Sequence, residues 1–295
     1  MSVASLCRWC GATVSDDQLC GSCARSTARS SRDHLEYEWD RAAGISDRGH
    51  VRTRNEDALY VAAPGPDVAV IVLCDGVGST TNSDIAAQVA VDAAGRELIT
   101  ATRSFDQRLG LAMTRAMGIA SEAVAAVTPS PGPRAKPPAA TFVAVAQRGE
   151  EIAIGWVGDS RAYWLGPDDP RLLTTDDNWA TVQERTGRLS AAEIAAHPRS
   201  RAITGWLGAD APQQPPHVLT FNPASSGRLL VCSDGFWRYM PAVSDLVATV
   251  AGIRPRPSAL AACRSLTNIA LAAGGQDNVT VAIIDIDNAS GSRHG

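Results

Sequence analysis

The chain reads Val70-Ile71-Val72-Leu73-Cys74-Asp75-Gly76 at the point that decides its fold, a branched apolar run that stops at an aspartate and a glycine. The same pattern recurs at Ile152–Val157 before Gly158-Asp159, and at Leu229–Ser233 before Asp234-Gly235. Short apolar runs bounded by turn residues predict buried β-strands. The sequence therefore predicts a sheet scaffold that fixes carboxylates at the ends of separate strands.

Further carboxylates lie beside two other apolar runs. Glu56 and Asp57 precede Ala58–Ala62, and Asp277 lies in a glycine-containing turn before Val279–Ile286. A single Asp-Gly pair indicates little more than a turn. Several carboxylates that converge repel one another unless a cation lies between them. Because oxygen ligands suit magnesium or manganese better than zinc, the set predicts a metal-assisted hydrolase.

Helical patterns separate the predicted strands. Asp84–Thr100, Phe105–Thr128 and Ser258–Ala273 are predicted helices, whereas Ala140–Ala146 and Ile152–Val157 are predicted to form a hairpin. The strands occur in groups and do not alternate strictly with helices. This order favours an α+β sandwich in which helices cover two packed sheets, and it disfavours a Rossmann-type sheet.

The cysteines fall into two sets. Cys74, Cys232 and Cys263 lie in apolar surroundings and are expected to be core residues. The other four form two Cys-x-x-Cys pairs separated by nine residues, and they are Cys7, Cys10, Cys20 and Cys23. This spacing is typical of a tetrahedral structural zinc site, so we predict a zinc ribbon over 1–23. A pair of disulfides is the alternative, which a cytoplasmic location disfavours.

Composition and charge limit the function classes. The formal net charge of −4 predicts no general attraction to nucleic acid or anionic lipid. No apolar run approaches the roughly 20 residues of a membrane helix. Since Met1–Cys7 shows no secretory signal, we expect a cytoplasmic protein without membrane association. We predict a polar linker over 24–40, one large domain over 41–287 and a frayed tail over 288–295.

Five short motifs occur in a fixed order along the large domain. They are Ser46–Asp57, Asp75–Gly78, Gly158–Arg161, Ser233–Gly235 and Asp277–Thr280. In this order and spacing they resemble the metal-dependent protein phosphatases of the protein phosphatase 2C type. The resemblance implies an antiparallel β-sandwich flanked by helices, with two Mg or Mn ions in a cleft. It also implies a bacterial serine/threonine phosphatase whose substrates are phosphoprotein targets of a serine/threonine kinase.

The resemblance assigns metal-binding roles to the matching carboxylates. Asp75 is expected to bridge both ions, and the Gly76 carbonyl to bind one of them. Asp234 and Asp277 are expected to hold the other ion. Asp159 matches a position that contributes to a third, weaker metal site in bacterial members of the family.

The resemblance also assigns catalytic roles. Glu56 and Asp57 match positions that orient metal-bound waters, and Arg52 matches the arginine that grips the substrate phosphate. A planar guanidinium suits that role because it pairs with two phosphate oxygens at once. The implied nucleophile is a hydroxide activated by two ions. Neither Cys74 nor Cys232 is therefore expected to act as a nucleophile.

Several positions depart from the family pattern. Ser79-Thr80 replaces a common Gly-His pair, and Val77 stands where some members carry a histidine proposed as general acid. His50 is a candidate for that role, and the alternative is that it is an ordinary surface histidine. Arg238 replaces an aspartate common after the Ser-Asp-Gly motif. Within 172–208, a segment that resembles the family's flap, Gly205 replaces a common arginine.

Two alternative functions remain open at this stage. A catalytically weak pseudophosphatase would use the fold as a phosphoprotein-binding or regulatory module, although no metal carboxylate is lost. The ribbon could instead contact nucleic acid through basic residues, namely Arg8, Arg25, Arg29 and Arg32. Aromatic residues are few there, which favours a protein-docking or stabilising appendage over nucleic-acid binding.

Overall fold

Two stacked antiparallel sheets form the centre of the protein in the computed structural model, which describes residues 33–287 apart from 105, 133–134, 214 and 253–256. The predicted zinc ribbon over 1–23 and the predicted tail over 288–295 lie outside the described residues. The first sheet has six strands, in the spatial order β1 (His34–Glu38), β2 (Ala42–Asp47), β13 (Val279–Ile286), β12 (Gly227–Cys232), β8 (Arg161–Leu165) and β9 (Arg171–Leu172).

The second sheet has five strands and is accompanied by a short two-stranded ladder. Its spatial order is β11 (His217–Phe221), β7 (Glu151–Val157), β6 (Phe142–Arg148), β4 (Val68–Asp75) and β3 (Asp57–Gly65). The ladder pairs β10 (Leu207–Gly208) with β5 (Ala139–Ala140). The predicted hairpin is confirmed as β6 and β7, which pair from Phe142 opposite Val157 to Arg148 opposite Glu151.

Seven helices are present in the described part of the chain. They are α1 (Ser83–Ala101), α2 (Leu109–Ala125), α3 (Trp179–Thr186), α4 (Ala191–Ala196), α5 (Asp234–Trp237), α6 (Val243–Gly252) and α7 (Ala259–Ala272). Helices α1 and α2 pack on the five-stranded sheet, and α7 packs on the six-stranded sheet. The result is a four-layer α-β-β-α sandwich.

Three apolar clusters hold the layers together. Leu98 and Phe142 belong to the cluster between α1, α2 and the five-stranded sheet. Leu73 and Ile154 belong to the cluster between the two sheets, and Leu266 lies in the cluster under α7. Because β4 contributes side chains to two of these clusters, both of its faces are buried, which explains its continuous apolar run.

The predicted linker over 24–40 is wrong at its C-terminal end. Residues His34–Glu38 form an edge strand that pairs with Ala42–Asp47, so the domain begins before the predicted start at Arg41. Of this strand only Tyr37 is fully buried, and it packs in the cluster between the sheets. A strand with one buried side chain among polar ones resembles a linker in composition.

The flap, residues 172–208, is an ordered unit and not an irregular insert. The Asn178 side chain caps α3, and Ser190 and Glu193 form a reciprocal capping box at α4. The Trp179 and His197 rings stack with centroids 4.1 Å apart, which joins the two helices. The sequence predicts a helix over Ser190–Ala196, which corresponds to α4. It does not predict α3, because the polar surface of that helix gives little periodic signal.

Candidate active site

The ends of separate strands bring five of the six predicted site carboxylates to one cavity of about 210 Å³, whereas Asp57 is buried beside it and does not line it. Asp75 ends β4 and lies opposite Asp57 in the antiparallel pairing of β3 with β4. The cavity is lined by acidic residues from five separate segments, namely Glu56, Asp75, Asp159, Asp234 and Asp277. Arg52 and the backbone of Gly76 line the same cavity. The structure thus gathers residues that are up to 225 positions apart, as Arg52 and Asp277 are.

Asn278 fixes the loop that carries Arg52 and Glu56. Its Oδ1 accepts a hydrogen bond from the Glu56 backbone N at 2.8 Å. Its Nδ2 donates to the carbonyl oxygens of Arg48 at 2.8 Å and Arg54 at 3.0 Å. One buried amide therefore ties both ends of this loop to the start of β13.

Two glycines allow the segments to approach closely. A Cβ atom at Gly235 would lie 1.9 Å from the Asn278 carbonyl oxygen, and one at Gly76 would lie 2.5 Å from the Ser83 carbonyl oxygen. Any larger residue would therefore force backbone apart at the cavity. The glycines after Asp75 and Asp234 are thus required by close backbone contact as well as by turn formation.

Glu56 and Asp57 are held by hydrogen bonds to neighbouring strands and helices. The Ser83 hydroxyl donates to Glu56 Oε1, and Arg54 Nη2 lies 3.2 Å from the same oxygen. Thr280 Oγ1 donates to Asp57 Oδ2 at 2.6 Å. Asp57 Oδ1 is buried and has no hydrogen-bond partner among the described residues. A buried oxygen of this kind is available to a water or an ion.

Asp75 and Asp159 are positioned through their backbones. The Asp75 backbone N donates to Thr141 Oγ1 at 3.1 Å, and the Thr141 backbone N donates to the Asp75 carbonyl at 2.8 Å. Trp237 Nε1 donates to the Asp159 carbonyl at 2.8 Å. The Arg161 guanidinium lies 3.7 Å from the Trp237 ring centre. Trp237, which sequence reasoning missed, therefore links α5 to the Asp159 loop.

Burial and mutual repulsion raise the pKa values of the clustered carboxyl groups. Burial is the main cause in each case, and the neighbouring aspartates add to it. The pKa of Asp57 and that of Asp159 are each raised to about 7. The pKa of Asp75 is raised well above its usual value, and that of Asp234 is also raised. The fully ionised cluster is therefore disfavoured unless a cation offsets its charge.

Two arginines contact the carboxylates directly. Arg52 forms a two-point ion pair with Asp277, with Nε to Oδ1 and Nη2 to Oδ2 both at 2.8 Å. Arg238 pairs with Asp234, and its Nη1 lies 3.4 Å from Asp277 Oδ2. The residue that departs from the family pattern at 238 therefore lies inside the carboxylate cluster and brings a positive charge to it.

The donor set fits hard divalent cations. All the converging side chains offer oxygen atoms, and Asp57 Oδ1 and Asp234 Oδ1 are buried without a hydrogen-bond partner in the described part of the chain. Within residues 33–287, gaps excepted, no three His, Cys, Asp or Glu side chains already form a ready metal cage. Arg52 and Arg238 instead engage two of the carboxylates that could contribute to one.

The thiols near the site have the properties of core residues. Cys74 and Cys232 are fully buried, and burial raises the pKa of both thiols well above the ordinary value. Thiolate nucleophiles need a lowered pKa and exposure. His50 does not line the cavity; its backbone N donates to the Gly275 carbonyl. The cavity geometry gives no support to His50 as a general acid.

Comparison with known proteins identifies the family. A family model described as Protein phosphatase 2C matches residues 47–266, so the chain belongs to this family. The chain is 30% identical over 255 residues to the serine/threonine protein phosphatase PstP of Mycobacterium tuberculosis (strain CDC 1551 / Oshkosh), a match that covers 83% of this chain and 45% of that protein. The chain thus spans about half the length of this curated relative.

Other relatives match over nearly their whole length. The serine/threonine phosphatase stp of Listeria monocytogenes serotype 4b is 26% identical over 253 residues, covering 82% of this chain and 94% of that protein. A crystal structure of Mycobacterium tuberculosis PstP/Ppp superposes with a TM-score of 0.70 at 27% identity, covering 84% and 99% of the two chains. The catalytic domain of PstP in complex with two manganese ions gives a TM-score of 0.68 at 26% identity, with 84% and 98% covered.

These similarities confirm the predicted family and the predicted fold class. The sandwich of antiparallel sheets flanked by helices is the fold of the PstP structures. Within the part of the chain that the structure describes, none of the helices combines the length and apolar character needed to cross a bilayer.

Proposed function

We propose that the chain is a metal-dependent serine/threonine protein phosphatase that hydrolyses phosphoserine and phosphothreonine. The observation that carries this proposal is the convergence of oxygen ligands and Arg52 on one cavity. Its relatives are named as serine/threonine phosphatases, and the related PstP domain binds two manganese ions. The expected substrates are phosphoproteins, which we propose are targets of a serine/threonine kinase in the cytoplasm.

The resemblance to the family assigns the metal ligands, and the residues that line the cavity support this assignment. Asp75 and the Gly76 carbonyl would hold one Mg or Mn ion, and Asp75, Asp234 and Asp277 the other. Asp159 would contribute to a third, weaker site. When bound, the ions supply a hydroxide nucleophile at neutral pH and neutralise charge on the phosphate oxygens.

The other residues bind and orient the reacting groups. Arg52 places a planar guanidinium in the cavity. It would bind the substrate phosphate when Asp277 holds a metal ion and no longer pairs with Arg52. Glu56, held by Ser83, and Asp57, held by Thr280, would accept hydrogen bonds from waters at the metal site and so orient them. The buried neutral thiol of Cys74 takes no part.

Phosphate release from a phosphothreonine peptide tests the proposal. We expect turnover that requires Mn or Mg, is abolished by EDTA, and persists after Cys74→Ala and Cys232→Ala. Turnover that continues in EDTA or depends on either thiol contradicts the mechanism. Tight peptide binding without turnover at saturating manganese would instead favour the pseudophosphatase, a binding module on the same fold.

The structural zinc is a separate proposal. Its ligands are two Cys-x-x-Cys pairs, Cys7 with Cys10 and Cys20 with Cys23, which lie outside the described residues. We expect one tightly bound zinc per chain in metal analysis of reduced protein, and its loss when Cys7 and Cys10 are changed to Ser. Absence of zinc from the unaltered reduced protein contradicts this assignment.

A further inference from the structure

Among the residues that the structure describes, Arg201 is the cavity-lining arginine whose charge is unpaired. Three arginines line the cavity, and two of them, Arg52 and Arg238, pair with aspartates of the cluster. Arg201 is exposed and makes no hydrogen bond or ion pair with the residues that the structure describes. An unpaired guanidinium at the edge of a binding cavity is available to a ligand anion.

The flap holds Arg201 in place through its backbone. Ala202 N donates to the Arg199 carbonyl and the Ala202 carbonyl accepts from Trp179 N, both at 2.8 Å. Ile203, which lines the cavity beside Arg201, pairs with Asn178 in an isolated bridge. The turn that carries Arg201 is therefore built into the flap.

The flap is in turn fixed to the loop that carries Asp159. Thr204 N donates to the Asp177 carbonyl at 2.7 Å, and Asp177 Oδ2 accepts from Gly158 N at 3.1 Å. Gly158 directly precedes Asp159. The backbone at Arg201 is thus connected by short steps to the loop that carries Asp159, so its position relative to the carboxylate cluster is set by the fold.

The size of the cavity decides what Arg201 can contact. A volume of about 210 Å³ lies below the roughly 300 to 1,000 Å³ of ordinary small-molecule sites, so it accommodates a phosphorylated side chain and little more. Residues on either side of the phosphorylated one must then lie at the rim. Arg201 and Ile203 are the cavity-lining residues contributed by the flap, which places a cation and an apolar side chain where those neighbours run.

On the basis of the proposed phosphatase activity, we propose that Arg201 is a specificity-determining residue. It pairs with an acidic side chain next to the phosphorylated residue of a peptide substrate. The pairing acts on peptide selection, whereas Arg52 and the metal ligands act on the phosphate itself.

Two phosphothreonine peptides that differ only by Asp or Asn beside the phosphothreonine test this proposal. With the full chain in manganese, we expect kcat/KM to favour the Asp peptide by about twofold to fivefold, mainly through KM, as for one exposed charge pair. Arg201→Ala should bring the ratio of the two peptides to about one. Arg201→Glu should reverse the preference, and Arg201→Lys should restore part of it.

Arg199→Ala is the matched control, because Arg199 lies two residues earlier in the same turn and does not line the cavity. It should leave the selectivity ratio unchanged. Equal losses on both peptides in Arg201→Ala would overturn the proposal and assign Arg201 to the phosphate. No preference in the unaltered protein would also overturn it. If neither peptide is hydrolysed, the phosphatase proposal fails, and fluorescence anisotropy of the same peptides still reports whether Arg201 selects the acidic one.

Discussion

Replacing Arg238 by methionine should tighten manganese binding and destabilise the metal-free protein. Arg238 pairs with Asp234 and reaches Asp277, so its guanidinium competes with any cation for these two carboxylates. Methionine keeps an unbranched side chain of similar reach without the charge. Because the cluster then lacks one of its two neutralising arginines, the carboxylates repel each other more strongly and attract a divalent ion more strongly.

The magnitude follows from the geometry of these pairs. Two unit charges about 4 Å apart attract by roughly 4 kcal/mol at an effective dielectric constant near 20. The Arg238 side chain is 28% exposed, and the desolvation of both partners offsets part of this attraction, which leaves about 1 to 2 kcal/mol. We therefore expect manganese affinity to rise about tenfold. In EDTA the melting temperature should fall by about 2 to 8 °C for a domain of this size.

Isothermal titration with manganese and calorimetric unfolding in EDTA measure these two effects separately. Arg264→Met is the matched control, since Arg264 pairs with Glu36 on the surface, away from the cavity. It should leave manganese affinity unchanged. Weaker manganese binding in Arg238→Met, or an unchanged melting temperature in EDTA, would refute the reasoning and make Arg238 a support of the metal site.

Three further predictions concern the same cavity. Asp277→Asn should weaken manganese binding by at least about tenfold in titration, because it removes a ligand charge but keeps the shape; unchanged affinity would make Asp277 a turn residue. The melting temperature of the metal-free protein should fall as the pH rises from about 4 to about 7, because the raised pKa values of Asp57 and Asp159 make the folded state bind more protons than the unfolded state over this range. Saturating manganese should flatten this dependence of melting temperature on pH. A melting temperature of the metal-free protein that rises with pH would contradict the burial argument. Trp237→Phe should lower the free energy of unfolding in denaturant by about 1 kcal/mol, because it keeps an aromatic ring under Arg161 but loses the hydrogen bond to the Asp159 carbonyl. An unchanged free energy of unfolding would show that this bond contributes nothing.

Local pattern was enough to locate the strands that carry the carboxylates. The run at Val70–Cys74 lies within β4, and Leu229–Ser233 overlaps β12. Both runs are recognisable because the strands are buried on two faces and end at glycine-containing turns. The predicted helices Asp84–Thr100 and Ser258–Ala273 match α1 and α7 within two residues. By contrast, His34–Glu38 and Trp179–Thr186 were not predicted, since each buries too few apolar side chains to give a periodic signal.

The site itself was predicted as a set of residues but not as an arrangement. That Asp57 faces Asp75 depends on the register of two strands, and that Asn278 holds the Glu56 loop depends on a contact between residues 222 positions apart. The Arg238 substitution is visible in the sequence, yet its ion pairs with the aspartates are not. Nor does the sequence single out Arg201 from the other arginines of the flap.

The sequence by itself determined the family, the order of most strands and helices, and the residue types that can bind divalent ions, because these depend on local periodicity, turn chemistry and motif order. Only the tertiary structure decided which charges meet. The packing of the sheets and the flap sets the two-point pair of Arg52 with Asp277 and the contact of Arg238 with Asp234. It also sets the position of Arg201, which has no partner in the described part of the chain. Electrostatic interaction falls with distance through space, and distance along the chain does not set it.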